Sequence, residues 1–258
     1  MDGSSPPVGV GLGPRNRIHE GDRQKVLDAA ARLQIHRSEL AAAVERGGRD
    51  DLVVGRGYDG VNRWIMTEIA RWRELHSIRP AGTAAQLRVS LPHNRAHVAR
   101  GLRMVSIFSA DGLDAEARLL LANEPTGEYL LSVAPVQMKI VDRTSVLLDG
   151  PVLDGEVTLI SVTAAPVVEA AWRYWNAAAS CALPADDGLG RFSEITPRQH
   201  QVVALLASGA NDDAIAAALE ISVRTVRSDV AAILDALGVR TRFAAGMRLQ
   251  LWSDGARS

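Results

Sequence analysis

Arg224 and Arg227 stand three residues apart in the run SVRTVRSDVAAIL that begins at Ser222. On a helix that spacing puts both guanidiniums on one face. Each can make paired hydrogen bonds to a phosphate or to the O6 and N7 edge of a guanine. Ser222, at a helix start, can hold a phosphate with the backbone N–H groups that follow it. From Ser222 to Arg248 the basic residues Arg224, Arg227, Arg240, Arg242 and Arg248 face only Asp229 and Asp235, a local charge of +3 in a chain of formal net charge −1. The chemistry on offer is recognition of a polyanion, which the bulk charge hides.

Helix signals dictate how these side chains are carried. Thr196-Pro197-Arg198-Gln199 supplies a threonine cap, a proline at the first helical position and a glutamine three residues after the cap, a capping box. Val202, Val203, Leu205 and Leu206 give that helix its apolar face, and Gly209 stops it. Asn211 caps a second, short helix with Ile215, Ala218 and Leu219 facing inward. After a turn at Ile221, Ser222 caps a third, with Val226, Val230, Ile233, Leu234 and Leu237 facing inward before Gly238. Two helices joined by a tight turn, Asp212 to Ala231, match a helix-turn-helix, whose second helix enters the DNA major groove.

The run from Ile195 to Gly246 resembles the LuxR-type helix-turn-helix domain of bacterial transcription regulators. The resemblance is carried by Thr196-Pro197-Arg198, Gly209, Ile215-Ala216, Leu219, Ser222, Thr225-Val226, Leu234, Leu237-Gly238-Val239 and Arg242. It implies a four-helix domain whose third helix reads the groove and whose fourth, about Arg242 to Leu251, mediates dimerisation. It implies DNA contacts from Arg227 and Ser228 on the exposed face, with Arg224 and Thr225 near phosphates; Ser222, Ala231, Arg240 and Arg242 complete the expected DNA-binding set. Three positions depart from the family pattern. Ala231 replaces a basic or polar groove residue, Asp229 a frequent histidine, and Glu220 a frequent turn glycine. Asp229 beside DNA would be repelled by phosphate, yet can accept a bond from cytosine N4.

Upstream, residues 1–22 read as a flexible arm, rich in Gly, Pro and Ser between Met1 and Pro14 and lacking the apolar stretch of a secretory signal. Arg23–Leu33 and Ser38–Glu45 are predicted as a short helical pair, with Ser38 as a cap. Val61, Trp64, Ile65, Ile69, Trp72 and Leu75 predict one long amphipathic helix. Strands are predicted at Leu52–Val54, Leu87–Leu91, Met104–Phe108, Tyr129–Val133, Met138–Val141, Val146–Leu148 and Val157–Val162. Helices are predicted at Asn94–Leu102, Leu113–Asn123 and Ala165–Ala178. The expected fold is therefore an α/β N-terminal domain (residues 23–182), a polar linker (183–193) and an all-α C-terminal helix-turn-helix domain (194–258).

Within the N-terminal domain, RMVSIFS (Arg103–Ser109), APVQMKIVDRTSVLL (Ala134–Leu148) and the helix with Trp172 and Trp175 resemble a degenerate phospholipase D-like sensor domain. Active members of that superfamily need His-x-Lys-x4-Asp, with histidine attacking phosphorus. Aligned on Asp142, the histidine and lysine positions hold Pro135 and Gln137. Aligned on Lys139, Gln137 holds the histidine position and Thr144 the aspartate position. The resemblance thus implies a scaffold that senses a small-molecule or protein effector without hydrolysis.

Other constellations weigh less. Gly55-Arg56-Gly57-Tyr58-Asp59-Gly60 fits G-x-G-x-x-G, but its strand is short and no ribose-binding acid follows, so a turn starting a helix is expected. His93 and His97 have a metal-compatible spacing without a third ligand. Trp64, Trp72, Trp172 and Trp175 serve either as core or as a ligand pocket. Asp111 follows a strand as a phosphoacceptor would, but no earlier acidic pair accompanies it. All but Lys25 and Lys139 of 29 basic residues are arginine, which with abundant alanine fits codon bias more than phosphate binding. Cys181 is the single cysteine, which excludes an internal disulfide and a multi-cysteine zinc site and fits a reducing cytoplasm. No apolar run approaches the roughly 18 residues of a membrane span. The expected protein is a cytoplasmic, homodimeric, sequence-specific transcription regulator of a double-stranded DNA operator, with no cofactor, metal or catalytic residue. The alternative, resting on Asp229 and Ala231, is an interaction protein of weak DNA affinity that pairs with another regulator.

Overall fold

The computed structural model describes residues 18–185, 195–237 and 239–246. Helix α1 runs unbroken from Glu20 to Glu45. It replaces the predicted helical pair and takes in the last residues of the expected arm. Val26, Ala30, Leu33 and Val44 are its buried residues, one stripe extending past Ser38, which lies mid-helix and caps nothing. Neither Pro nor Gly interrupts the chain from Asp22 to Glu45, and Glu20 and Asp22 favour the positive end of the helix dipole.

An eight-stranded mixed sheet follows, in the order β1-β7-β6-β5-β2-β3-β4-β8. The strands are β1 (Val53–Arg56), β2 (Glu74–Arg79), β3 (Arg103–Ser109), β4 (Glu128–Ser132), β5 (Met138–Val141), β6 (Ser145–Asp149), β7 (Thr158–Val162) and β8 (Leu183–Pro184). β2, β3 and β4 are parallel, joined through α3 (Ala84–Ala99) and α4 (Ala115–Ala122); β1, β7, β6 and β5 pair antiparallel out to β2. Alternation along the strands divides the core. Ile78, Ile107, Met138, Ile140, Val146, Leu148 and Ile160 pack against α1 and α5 (Ala165–Ser180). Leu75, Met104, Phe108, Leu131, Val141, Leu147 and Leu159 face the other way, against α2 (Gly57–Glu68), α3 and α4.

Three elements differ from expectation. The predicted strand Leu87–Leu91 lies inside α3, which Thr83 and Gln86 start with a reciprocal capping box, and Leu87 and Leu91 are buried four residues apart as in a helix. The long helix predicted through Leu75 ends earlier: α2 stops at Glu68, Ile69–Arg71 makes a 3-10 turn, and Leu75 lies in β2. That strand is hydrogen-bonded on both sides, to β3 and β5, and such pairing overrides local periodicity. Finally, Leu183 and Pro184 are not linker but pair with β4 as an edge strand, where proline's missing N–H costs nothing. Most of the expected linker lies outside the described residues.

Candidate nucleic-acid interface

Three helices, α6 (Pro197–Ala207), α7 (Asp212–Ala218) and α8 (Val223–Ala236), form the C-terminal core. Each starts at the expected cap. Thr196 Oγ1 accepts from the Gln199 amide at 3.3 Å while Gln199 Oε1 accepts from the Thr196 amide at 2.8 Å. Asn211 Oδ1 accepts from the Ala214 amide at 2.8 Å, and Ser222 Oγ from the Thr225 amide at 3.1 Å. Gly209, at φ +87, makes the left-handed exit from α6. In the turn between α7 and α8 Glu220 takes φ +54, so a side chain occupies a conformation that favours glycine. Val202, Val203, Ile215, Val226, Val230, Ile233 and Leu237 fill the centre.

The remaining face of α8 is open. Arg224, Arg227, Ser228 and Ala231 are all exposed on it, and Ser222 is exposed at its start. Thr225 is half-buried, with its hydroxyl 2.8 Å from Ser222 Oγ. Arg240 and Arg242 are exposed beyond the helix. Residues 242–246 are helical, the start of the expected fourth helix; its remainder, with Arg248, lies outside the described residues.

Two acidic residues organise the arginines, and neither role was foreseen. Asp229 is buried, 3% exposed, and does not face the groove side. Its carboxylate accepts from Arg198 Nε at 2.7 Å and Nη2 at 3.0 Å, a two-point bond between α6 and α8. The residue singled out as a repulsive groove group is therefore a bolt inside the domain. Asp212, at the start of α7, receives Arg227 Nε at 3.3 Å and Arg242 Nη2 at 2.8 Å. The hydrogen bond and charge of Arg242 foremost, with Arg227 behind, hold the Asp212 carboxyl below its ordinary value.

The C-terminal core also grips the sheet domain. Leu119 of α4 is buried in the same cluster as Val202 and Val203, with Ala122 packed beside it. Asn123 Nδ2 lies 2.9 Å from Nε2 of His200 on α6. His200 is 4% exposed, and burial pushes its imidazole down to about 4.

The other constellations resolve into packing. Gly55 lies where a Cβ would come within 2.9 Å of the Val61 Cα, so the glycine lets α2 cross β1 closely. Asp142 Oδ1 accepts from the amides of Arg73 and Glu74 at 2.8 and 2.9 Å, at the opposite end of β5 from Gln137, and Thr144 lies beside Asp142. Neither register of the phosphodiesterase motif gathers its positions at one place. Trp172 and Trp175 enclose His76 on the α5 side, with ring centroids 5.0 and 4.7 Å away, whereas Trp64 and Trp72 pack 6.4 Å apart on the other side of the sheet. The four therefore line no common pocket. His93 Nδ1 lies 2.8 Å from the Val89 carbonyl oxygen, and His97 is buried. Among the described residues no group of three or more metal-ligating side chains occurs, and no helix is long and apolar enough to cross a membrane.

Comparison with curated proteins finds no match. Among solved structures, the crystal structure of a phospholipase D family member, Nuc from Salmonella typhimurium, is similar with 11% identity and a TM-score of 0.39, over 50% of this chain and 94% of that chain. At that level the likeness fixes neither the fold nor the chemistry of the N-terminal domain. The model of bacterial regulatory proteins of the luxR family matches residues 193–248, the segment that carries the capped helices and the open face of α8. Residues 193–248 are thus a helix-turn-helix domain of the kind found in the luxR family of bacterial regulatory proteins, a match that supports DNA-binding transcription regulation.

Proposed function

We propose that the chain is a cytoplasmic, sequence-specific regulator that docks as a homodimer, with α8 of each copy in the major groove of a double-stranded operator. The observation that carries this reading is the division of α8: Val226, Asp229, Val230 and Ile233 are buried, while Arg224, Arg227, Ser228 and Ala231 form one exposed strip. In that pose Arg227 and Ser228 meet base edges, Ala231 offers its methyl to a thymine methyl, and Ser222, Arg224, Thr225, Arg240 and Arg242 meet phosphates. The unit ending at β8 is a control domain without catalysis, since neither motif register supplies a histidine nucleophile. It acts on the DNA-binding unit, proposed to begin near residue 194, through the α4–α6 contact at Asn123 and His200.

The reading is tested by selecting operator sequences from a random DNA pool with the full chain, then footprinting the winner with the Arg227→Ala variant. Loss of the footprint supports the docking geometry, and an unchanged footprint rejects it. A second reading, a regulator that pairs with another protein and barely binds DNA, draws on Asp212, which covers Arg227 and Arg242, and on the short Ala231 side chain. Absence of DNA retention by the full chain at low salt would favour it.

A further inference from the structure

At the carboxyl end of β2 the sheet carries two cations that, among the described residues, form no ion pair. Arg79 is the last residue of β2, and Lys139 of β5 pairs with Ser77. Directly paired residues share a face, as do residues two apart on a strand, so Arg79 and Lys139 lie on one side of the sheet one pleat apart. Both are half-buried, and among the described residues neither makes a hydrogen bond or ion pair. The Arg79 guanidinium carbon instead lies 5.3 Å from the centroid of the Phe108 ring. Burial lowers Arg79 from its ordinary value; burial foremost, then the charge of Arg79, pulls Lys139 down to about 8, against the opposing pull of Asp149.

Beside them is a cavity of about 360 Å³ walled by Arg37, Arg79, Gln86, Gln137 and Asp149 among others, with Lys139 behind the wall and not part of it. The acid in this wall is already engaged. Asp149 Oδ1 accepts from Gln137 Nε2 at 3.2 Å, and its carbonyl oxygen accepts from Arg37 Nε at 2.7 Å. Neighbouring cations in a partly desolvated place repel each other and cost stability unless an anion joins them. The volume suits a small metabolite, and a guanidinium is the side chain best shaped for a phosphate group.

We propose that this cavity is an effector site for a small phosphate ester carrying hydroxyl groups, its phosphate seated on Arg79 with Lys139 behind, its hydroxyls meeting Gln137 and Asp149. The proposal deepens, and rests on, the reading of the N-terminal unit as a control domain. A physical connection to the DNA-binding unit exists: Gln86 belongs to the first turn of α3, α3 is tied to α4 by the Arg88–Glu116 and Arg95–Glu124 ion pairs, and α4 meets α6 at Asn123 and His200.

The test uses the full chain with inorganic phosphate and with glycerol 3-phosphate, against chloride at matched ionic strength. Both phosphates should raise the thermal midpoint. Arg79→Gln should weaken binding by roughly 10- to 100-fold, the loss of one charged hydrogen bond or more, and Lys139→Met, which removes a charge behind the cavity wall, by a smaller factor. The exposed-site variant Arg32→Gln should bind phosphate as the parent does. Affinity should also fall as pH rises past about 8, where Lys139 loses its proton, and that dependence should vanish in Lys139→Met. Lys139→Met should melt no lower than the parent without phosphate, which separates a lost site from a lost fold. No phosphate-specific shift, or an equal shift in Arg79→Gln, overturns the site while leaving the DNA-binding reading intact. Phosphate binding that leaves DNA affinity unchanged keeps the site and overturns ligand control.

Discussion

Arg198 and Asp229, 31 residues apart in sequence, are joined by two hydrogen bonds of 2.7 and 3.0 Å that fix α8 to the first turn of α6. The carboxylate is buried and the guanidinium half-exposed, so the two ends of the bond are unequal. Removing the arginine leaves a buried charge with, among the described residues, only the 3.4 Å contact from Gln199 Nε2. Arg198→Ala should therefore lower the melting temperature of the full chain by several degrees, and Arg198→Lys should recover only part, because an ammonium cannot make the paired bond. Equal melting of parent and Arg198→Ala would deny the bolt its role.

Asp212 restrains the arginines that α8 and the following segment present. Asp212→Ala removes one negative charge and frees Arg227 and Arg242. Binding to non-operator DNA should tighten at low salt, and the slope of log affinity against log salt should steepen by about one to two. Weaker binding at every salt concentration would show that Asp212 positions Arg227 for DNA instead of holding it back.

His200 gives the contact between the two units a pH dependence. Its folded value, about 4, lies below the ordinary 6.5. Above pH 6.5 the imidazole is neutral whether the chain is folded or not, and the full stability is present. As pH falls from 6.5 towards 4, the unfolded chain takes up a proton that the folded chain refuses, so stability drops by about 3 kcal/mol over that window. Denaturant titrations at pH 7 and pH 4.5 should show the loss in the parent and a smaller one in His200→Gln. The same loss in both would assign it to other groups.

Glu220 supplies a test of backbone strain. At φ +54 a non-glycine side chain costs roughly 1–2 kcal/mol, while glycine's extra freedom in the unfolded chain costs roughly 0.5–1 kcal/mol. Glu220→Gly should thus stabilise the domain by up to about 1 kcal/mol in denaturant unfolding. A clear destabilisation would mean that the glutamate side chain itself holds the turn.

Much of the C-terminal domain was legible because its signals are local. Thr196 with Gln199, Asn211, Gly209 and Ser222 each set a helix boundary through hydrogen bonds within a few residues. Asp229 also has a signal of its inward position in the sequence. It lies three residues after Val226 and four before Ile233, on the buried stripe, and a charge there requires a partner that Arg198 supplies from α6. The α3 boundary is legible in the same way: Thr83 and Gln86 repeat the pattern of Thr196 and Gln199, although the short apolar run Leu87–Leu91 has the look of a strand. β2 was hidden for a different reason. Its identity depends on pairing with β3 and β5, which lie 24 and more residues away. The Arg79 and Lys139 pair was invisible for that cause, since only the β2·β5 register places them on one face.

The most direct measurement of the central claim is binding of full chain, parent and Arg227→Ala, to the selected operator and to unrelated DNA at one salt concentration. If α8 reads the groove, the variant should lose about 1–3 kcal/mol on the operator, with a much smaller change on unrelated DNA. An equal loss on both, or no loss on the operator, would contradict the assignment of Arg227 to base edges.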